Sequence, residues 1–553
     1  MSVSGLPIPD QSDRLGSPPT ATLLVAEGVS VRAGEQTLVQ PTSLTLAAGE
    51  LVAVIGPSGA GKTSLLRALA GTLPLAAGRV QTAGGAAGAV GFVPADDLLH
   101  DELTVFEELL FAARLRAPAG GDGGDVLARV HEVIDDLRLT GLEEARVATL
   151  SKGQRRRTSC GVELVGRPGV LLLDEPAAGL DPGLERRLMI MLRRLADEGR
   201  GVLVATHSTA SLHRCDTVVA VSPGGIVRYA GPPDGMVAAL GVEDLEEVYD
   251  ALTDDTRPAG RPAGGTPGAA ARPVLTPAGG GGGSGRMAPA PGQLPALLAR
   301  EAICHLRDRR SLAILLGQAP VIGIAMAVVL PRGVLGDQTF GPFYGVLFAF
   351  MLLTASIWLG VIAACRQVVS QRAIIERELA VGVRPGGYLV AKALALMPVV
   401  ALQTLLLAGA AMALQPVPQG APLIVGFCIV TGWSAAAMGL WLSAAARTPD
   451  QATTSVPLLL IPQLLFAGAL IPIDKMIPPL KVLTDAVLGR WALAAIGGAM
   501  GLDERLGSNL GAVTGLQSGF FGEKPLVALA AMAAIGAAFL ALGVRALGRE
   551  NRP

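Results

Sequence analysis

The chain has 553 residues, 50% hydrophobic and 16% charged, with a mean hydropathy of +0.49. It is too long for one ordinary core and too apolar for a soluble protein, so part of it is expected in a membrane. A formal net charge of -1, with no basic arm or patch, argues against a nucleic-acid partner.

The apolar content is uneven. Charge is concentrated before about residue 255 and the long apolar runs follow residue 311, which predicts two halves in different solvents. Cys160, Cys215, Cys304, Cys365 and Cys428 are scattered without a C-x-x-C pair or metal-ligand spacing, and read as reduced and structural. Residues 1–21 are rich in Pro and Ser and lack the basic start and apolar run of a signal peptide; a disordered lead-in is expected.

Two β-like runs, 24–31 and 43–46, flank a turn at 33–35. The apolar run 51–55 then leads into Gly56-Pro57-Ser58-Gly59-Ala60-Gly61-Lys62-Thr63, a G-x-x-x-x-G-K-T phosphate-binding loop, with Ser64 next in line. Backbone N–H groups of such a loop surround a phosphate, Lys62 adds a point charge toward the β and γ phosphates, and Thr63 offers a hydroxyl to Mg²⁺. The helix expected over 62–70 aims its positive end at the same anion.

Another apolar strand, 89–93, is broken by Pro94, and Thr104 with Glu107 forms a capping box for a helix over 105–115. A second helix is expected over 125–139. In Leu150-Ser151-Lys152-Gly153-Gln154-Arg155, Ser151 is the N-cap of a helix through Leu164, leaving N–H groups to meet an anion. The apolar strand 170–173 ends in Asp174-Glu175-Pro176; the first carboxylate suits Mg²⁺ and the second suits polarising a water. Asp181 follows in Gly179-Leu180-Asp181, and the strand 202–205 ends at Thr206-His207.

These motifs, in this order and approximate spacing, resemble those of an ATP-binding cassette (ABC). The resemblance implies an α/β nucleotide-binding domain over 22–253, a P-loop sheet with a helical subdomain, that binds ATP and Mg²⁺. It further implies that Gly56 to Ser64 hold the phosphates, that Thr63 and Asp174 serve the metal, that Glu175 activates the attacking water and that His207 contacts the γ-phosphate. Ser151, Gly153 and Gln154 would belong to the signature that closes over ATP on a second copy, with Asp181 at the dimer interface. Three positions depart from the family pattern. Ala95 stands where a glutamine is usual, Lys152 replaces a glycine, where it either helps to bind the partner's γ-phosphate or hinders closure, and the aromatic that stacks on adenine falls near Ala33.

Residues 254–293 are Pro/Gly-rich and read as a flexible tether or an insertion without function. From 294 to 553 an all-α, six-helix transmembrane domain is expected: an interfacial helix over 294–310, with Arg300 off its leucine face, then spans near 311–330, 343–364, 389–414, 423–445, 456–471 and 526–547. No Asp, Glu, Lys or Arg is assigned to a span interior, Lys392 and Arg545 being counted with the basic flanks, so a proton or ion pathway is not expected. The basic segments 300–310, 366–392, 447 and 545–552 fall on one side, which puts the nucleotide-binding domain and both termini in the cytoplasm.

The loop over 366–392 resembles the coupling segment of the G-subfamily ABC exporters and their bacterial relatives, with 472–525 as their external loop. The expectation is an ABC half-transporter in a bacterial cytoplasmic membrane. It would pair with a second copy or a related half-transporter and export a hydrophobic or amphipathic substrate, drug-like or lipid. The alternative, motivated by Ala95 and Lys152, is a weakly hydrolysing regulator or degenerate partner subunit.

Overall fold

The computed structural model describes residues 21–83, 90–116, 123–244, 247–253, 292–471, 473–505 and 520–549. The expected lead-in, save residue 21, and the expected tether, save residues 292 and 293, lie outside the described residues. The chain divides between residues 288 and 289 into two compact units.

The first unit contains β1 (Thr22–Ala33), β2 (Gln36–Ala47), β3 (Leu51–Ile55), α1 (Lys62–Leu69), β4 (Ala77–Thr82), β5 (Val90–Val93), α2 (Val105–Arg116), α3 (Gly123–Asp136), α4 (Lys152–Leu164), β6 (Val170–Asp174), α5 (Pro182–Asp197), β7 (Gly201–Thr206), β8 (Thr217–Ser222), β9 (Ile226–Gly231), α6 (Met236–Leu240) and α7 (Val248–Thr253). The main sheet has the order β5-β6-β7-β3-β8-β9, parallel except for β9; β2-β1-β4 forms a smaller antiparallel sheet. Every residue of β3, β6 and β7 is buried, because the sheet is covered on both faces and polar alternation would place polar groups in a core. Leu51, Ala53 and Ile55 face the core that holds Leu188, Leu192 and Leu195 of α5. Val52 and Val54 face the opposite core, with Leu65, Leu66 and Leu69 of α1.

The local signals match the elements. Thr104 Oγ1 accepts from the Glu107 amide at 3.2 Å while a Glu107 carboxylate oxygen accepts from the Thr104 amide at 2.9 Å, the capping box read from sequence. Ser151 and Gln154 form a second box at the start of α4.

The second unit is helical: α8 (Gln293–Arg307), α9 (Arg309–Val329), α10 (Gly341–Ala364), α11 (Arg372–Ala380), α12 (Pro385–Leu414), α13 (Ala421–Ala445), α14 (Pro449–Leu465), α15 (Pro478–Thr484), α16 (Leu488–Ala499) and a final described helix, Pro525–Arg549. Among the described residues five helices are long and apolar enough to cross a membrane, or six if α15 and α16, bent by 69°, count as one broken span. The run expected at 456–471 instead ends at Leu465. The helix there, α14, has 17 residues and contains Pro457 and Pro462, about 25 Å of rise against the roughly 30 Å of a hydrocarbon core. Part of the expected external loop folds back as α15 and α16, and Leu488, Leu493 and Ile496 join the helical core. Small residues let the helices approach. A Cβ on Gly360 would fall 2.3 Å from the carbonyl oxygen of Gly432.

Two expectations about charge are corrected. Lys392 is 0% exposed inside α12; its Nζ donates to Glu301 at 2.8 Å and to Gln371 at 2.8 Å. Arg300 is 2% exposed and makes a two-pronged pair with Glu378, one arm at 2.9 Å. Thus α8 turns Ala296, Leu297, Arg300, Glu301 and Cys304 inward and leaves Leu294 and Leu306 exposed. Its charged pair faces the protein because each member has a buried partner there. Polar side chains tie helices together in this unit: Gln403 donates to the Leu315 carbonyl at 2.7 Å, and Gln463 accepts from the Gly489 amide at 3.3 Å.

Removing one member of the Arg300–Glu378 pair strands a buried charge, so Glu378→Ala should cost about 3–5 kcal/mol, and Arg300→Met combined with Glu378→Leu should recover most of it. Thermal unfolding of the detergent-solubilised chain reads this; an unchanged midpoint for Glu378→Ala would show that the pair contributes nothing.

Candidate functional site: strand ends around a phosphate loop

Three neighbouring parallel strands, β6, β7 and β3, end together. Asp174 pairs with Ala205 and Ile55 with Thr206, so the phosphate loop, Asp174-Glu175 and His207 emerge side by side at the sheet's C-terminal edge. Backbone freedom shapes the loop. Gly61 has φ +89°, and a Cβ there would lie 2.3 Å from the Leu38 carbonyl oxygen, so only glycine fits.

Lys62, buried at the start of α1, donates to the carbonyls of Gly56 at 2.8 Å and Pro57 at 3.2 Å, and its Nζ stands 3.7 Å from a Glu175 oxygen. Thr63 Oγ1 donates to an Asp174 oxygen at 3.1 Å. Burial raises the Asp174 carboxyl above its usual range, against the opposing pull of the Thr63 hydrogen bond, and the neighbouring Glu175 charge raises it further. Glu175 holds a left-handed backbone, φ 43°, with its amide on the Ala205 carbonyl at 2.9 Å. His207 is 60% exposed, and its Nδ1 lies 3.8 Å from the other Glu175 oxygen, beyond hydrogen-bond length.

The remaining expected residues form a second group at the N-termini of α4 and α5. The Ser151 amide donates to Gln154 Oε1 at 2.8 Å, so both side chains are engaged in the cap. A Cβ on Gly153 would meet Leu184 of α5 at 3.3 Å. Asp181 caps α5, accepting from the amides of Gly183 and Leu184 at 2.9 Å each. The Lys152 amine rests over Gly179, whose φ is +69° and whose missing Cβ would lie 2.1 Å from Nζ.

These groups fit a magnesium nucleotide. The glycine loop leaves room for phosphate oxygens, Lys62 has only carbonyls within hydrogen-bond reach, and Thr63 with Asp174 presents adjacent hard oxygen donors. Among the described residues no cluster of three or more His, Cys, Asp or Glu could hold a metal ion.

Sequence reasoning missed two residues. Arg156 of α4 is buried and reaches the backbone of Asp174 and Pro176, but it stands between Arg155 and Arg157 with nothing in its spacing to single it out. Tyr249 of α7 has a buried hydroxyl without a hydrogen-bond partner among the described residues; burial and the Glu175 charge push its phenol up to about 12. All five cysteines are buried thiols, and burial pushes Cys160 up to about 11 and Cys215 to about 12, which keeps both un-ionised.

A parallel sheet with a phosphate loop and a carboxylate pair at adjoining strand ends defines a P-loop nucleotide-binding domain. Comparison with known proteins identifies which kind. The ABC transporter family profile matches residues 39–178 and the ABC-2 type transporter profile matches residues 292–500. The ABC transporter ATP-binding/permease protein Rv1747 of Mycobacterium tuberculosis is 33% identical over 502 residues, 84% of this chain and 56% of that protein. ABC transporter G family member 28 of Arabidopsis thaliana is 35% identical over 239 residues, 40% of this chain and 21% of that protein. The Nod factor export ATP-binding protein I of Ralstonia nicotianae is 34% identical over 245 residues, 42% of this chain and 74% of that protein. The chain belongs to the ATP-binding cassette transporters and has the arrangement of a half-transporter, one nucleotide-binding domain followed by one membrane domain. It spans about half of the mycobacterial relative and about a fifth of the plant one.

Because the folded Asp174 carboxyl is raised, its ionised form is disfavoured by folding; the protonated form is the favoured one, and stability falls as pH rises through the raised value. Asp174→Asn should therefore melt higher than wild type at neutral pH without nucleotide, and the gap should close as acid protonates the wild-type carboxyl. Melting curves from pH 4 to 8 read it; a lower midpoint for the variant at pH 7 would contradict the assignment.

Proposed function

We propose that this chain is half of an ATP-driven exporter. It pairs with a second copy of itself, or with a related half-transporter, and uses ATP to move a hydrophobic or amphipathic compound, drug-like or lipid, across the cytoplasmic membrane. The observation that carries the reading is the convergence of Lys62, Thr63, Asp174 and Glu175 at adjoining strand ends, on a chain whose other unit is a set of apolar helices.

Magnesium bound with ATP supplies neutralisation of the phosphate oxygens. Thr63 and Asp174 offer the metal its protein oxygens, and Asp174 must be ionised to do so. Lys62 exchanges the carbonyls of Gly56 and Pro57 for phosphate oxygens. Glu175 accepts a hydrogen bond from the attacking water and orients it, while His207, already exposed, reaches the terminal phosphate. Ser151 and Gly153 close over ATP on the partner, and Asp181 lies at that interface. Basic residues flanking the helices support a cytoplasmic nucleotide-binding unit, and the charged segment over 366–392, which holds α11 and the start of α12, carries the signal between the two activities.

One observation favours a second reading. Lys152 sets a bulky cation over Gly179, beside the cap of α5. If that amine opposes closure, the chain binds ATP but hydrolyses it slowly, as a regulator or as the degenerate member of a heterodimer.

Steady-state Mg-ATPase activity in lipid nanodiscs separates the two. On the exporter reading, Glu175→Gln lowers turnover by roughly 100-fold or more while ATP still binds. Equal, near-background rates in both proteins would favour the second reading. Failure of vesicles holding the active dimer to move any lipid or dye across a broad panel would remove export.

A further inference from the structure

Arg156 is 4% exposed and uses all three of its nitrogens. Nε donates to the Pro176 carbonyl at 3.2 Å, and Nη2 to the Asp174 carbonyl at 2.8 Å. Nη1 donates to the Pro94 carbonyl at 2.6 Å, the Ala95 carbonyl at 3.2 Å and the Asp97 carboxylate at 3.2 Å. The acceptors belong to separate pieces of chain: the exit of β5, the end of β6 and the turn after Glu175. Arg156 itself stands in the second turn of α4, whose cap is Ser151.

The sheet explains why a side chain is needed there. Pairing of β5 with β6 stops at Val93 and Leu173, so the next carbonyl, that of Asp174, has passed the last strand pair on that side and falls to Arg156. Ala95 has no side chain that could span the gap, and the segment over 94–97 is joined to Asp174 through the guanidinium. Its neighbours point elsewhere: Arg155 donates to Asp101 at 2.6 Å, and Arg157 to the Leu137 carbonyl at 2.9 Å.

We propose that Arg156 is a positioning residue of the ATP site, holding the backbone that presents Asp174 and Glu175 and tying it to the helix that begins at Ser151. The proposal rests on the ATPase reading above. The planar fork is essential to it, because an ammonium at this place cannot reach acceptors on three sides at once. Displacement of Glu175 by a fraction of an ångström then costs turnover, while the phosphate loop, which Arg156 does not touch, keeps its hold on ATP.

The test compares wild type, Arg156→Lys, Arg156→Gln and the control Arg155→Lys as full chains in nanodiscs. It reads kcat, KM for Mg-ATP, thermal midpoint and amide hydrogen exchange over 94–97 and 174–178. Both Arg156 variants should lose roughly 10- to 100-fold in kcat, with KM changed by less than about threefold and exchange accelerated in those two segments. The control should show neither effect. Wild-type kcat and unchanged exchange in Arg156→Lys would overturn the proposal. So would exchange accelerated evenly along the nucleotide-binding unit, which marks a purely structural role. If wild type itself turns over no ATP, the ATPase reading falls, and the exchange pattern decides on Arg156 alone: local acceleration supports the tie, and uniform or absent acceleration refutes it.

Discussion

Parallel pairing of β6, β7 and β3 is the constraint on which the nucleotide-binding unit depends. Because their register is fixed residue by residue, the three chains leave the sheet at the same level, and groups more than 100 residues apart in sequence, Thr63 and Asp174, come within 3.1 Å. The alternate side chains of the same strands are shared between two cores, one under α5 and one under α1. A slip of one residue would exchange the two cores and separate the site at once. Packing and chemistry are thus specified by the same pairing.

Much of this is legible in the sequence. The strand over 51–55 is bounded by Gly49-Glu50 and Gly56, and its observed limits are the expected ones. The caps at Thr104 and Ser151 are local hydrogen-bond patterns three residues long, so local sequence determines them. Arg156 was illegible for the opposite reason. Four of its five acceptors are backbone carbonyls, which carry no residue-type signal, and all five lie 18 to 62 residues away.

The membrane unit shows the same boundary between local and distant information. Apolar runs are properties of a stretch of chain and were found as such. The burial of Arg300 and Lys392 depends on partners 78 and 91 residues away, so a reading by helix faces assigned Arg300 to the polar surface and Lys392 to a flanking loop. In α14 the prolines shorten a run that composition alone extends to residue 471.

The buried pairing of α8 with α12 also bears on how the protein is made. Lys392 is the eighth residue of the 30-residue α12, short of the helix centre, where insertion scales place a penalty of about 2.5–3.5 kcal/mol on a lysine. Synthesis runs from the N-terminus, so Glu301 leaves the ribosome before Lys392, the base it pairs with in the folded protein. The earlier helix in the chain thus carries the counter-ion for the later one.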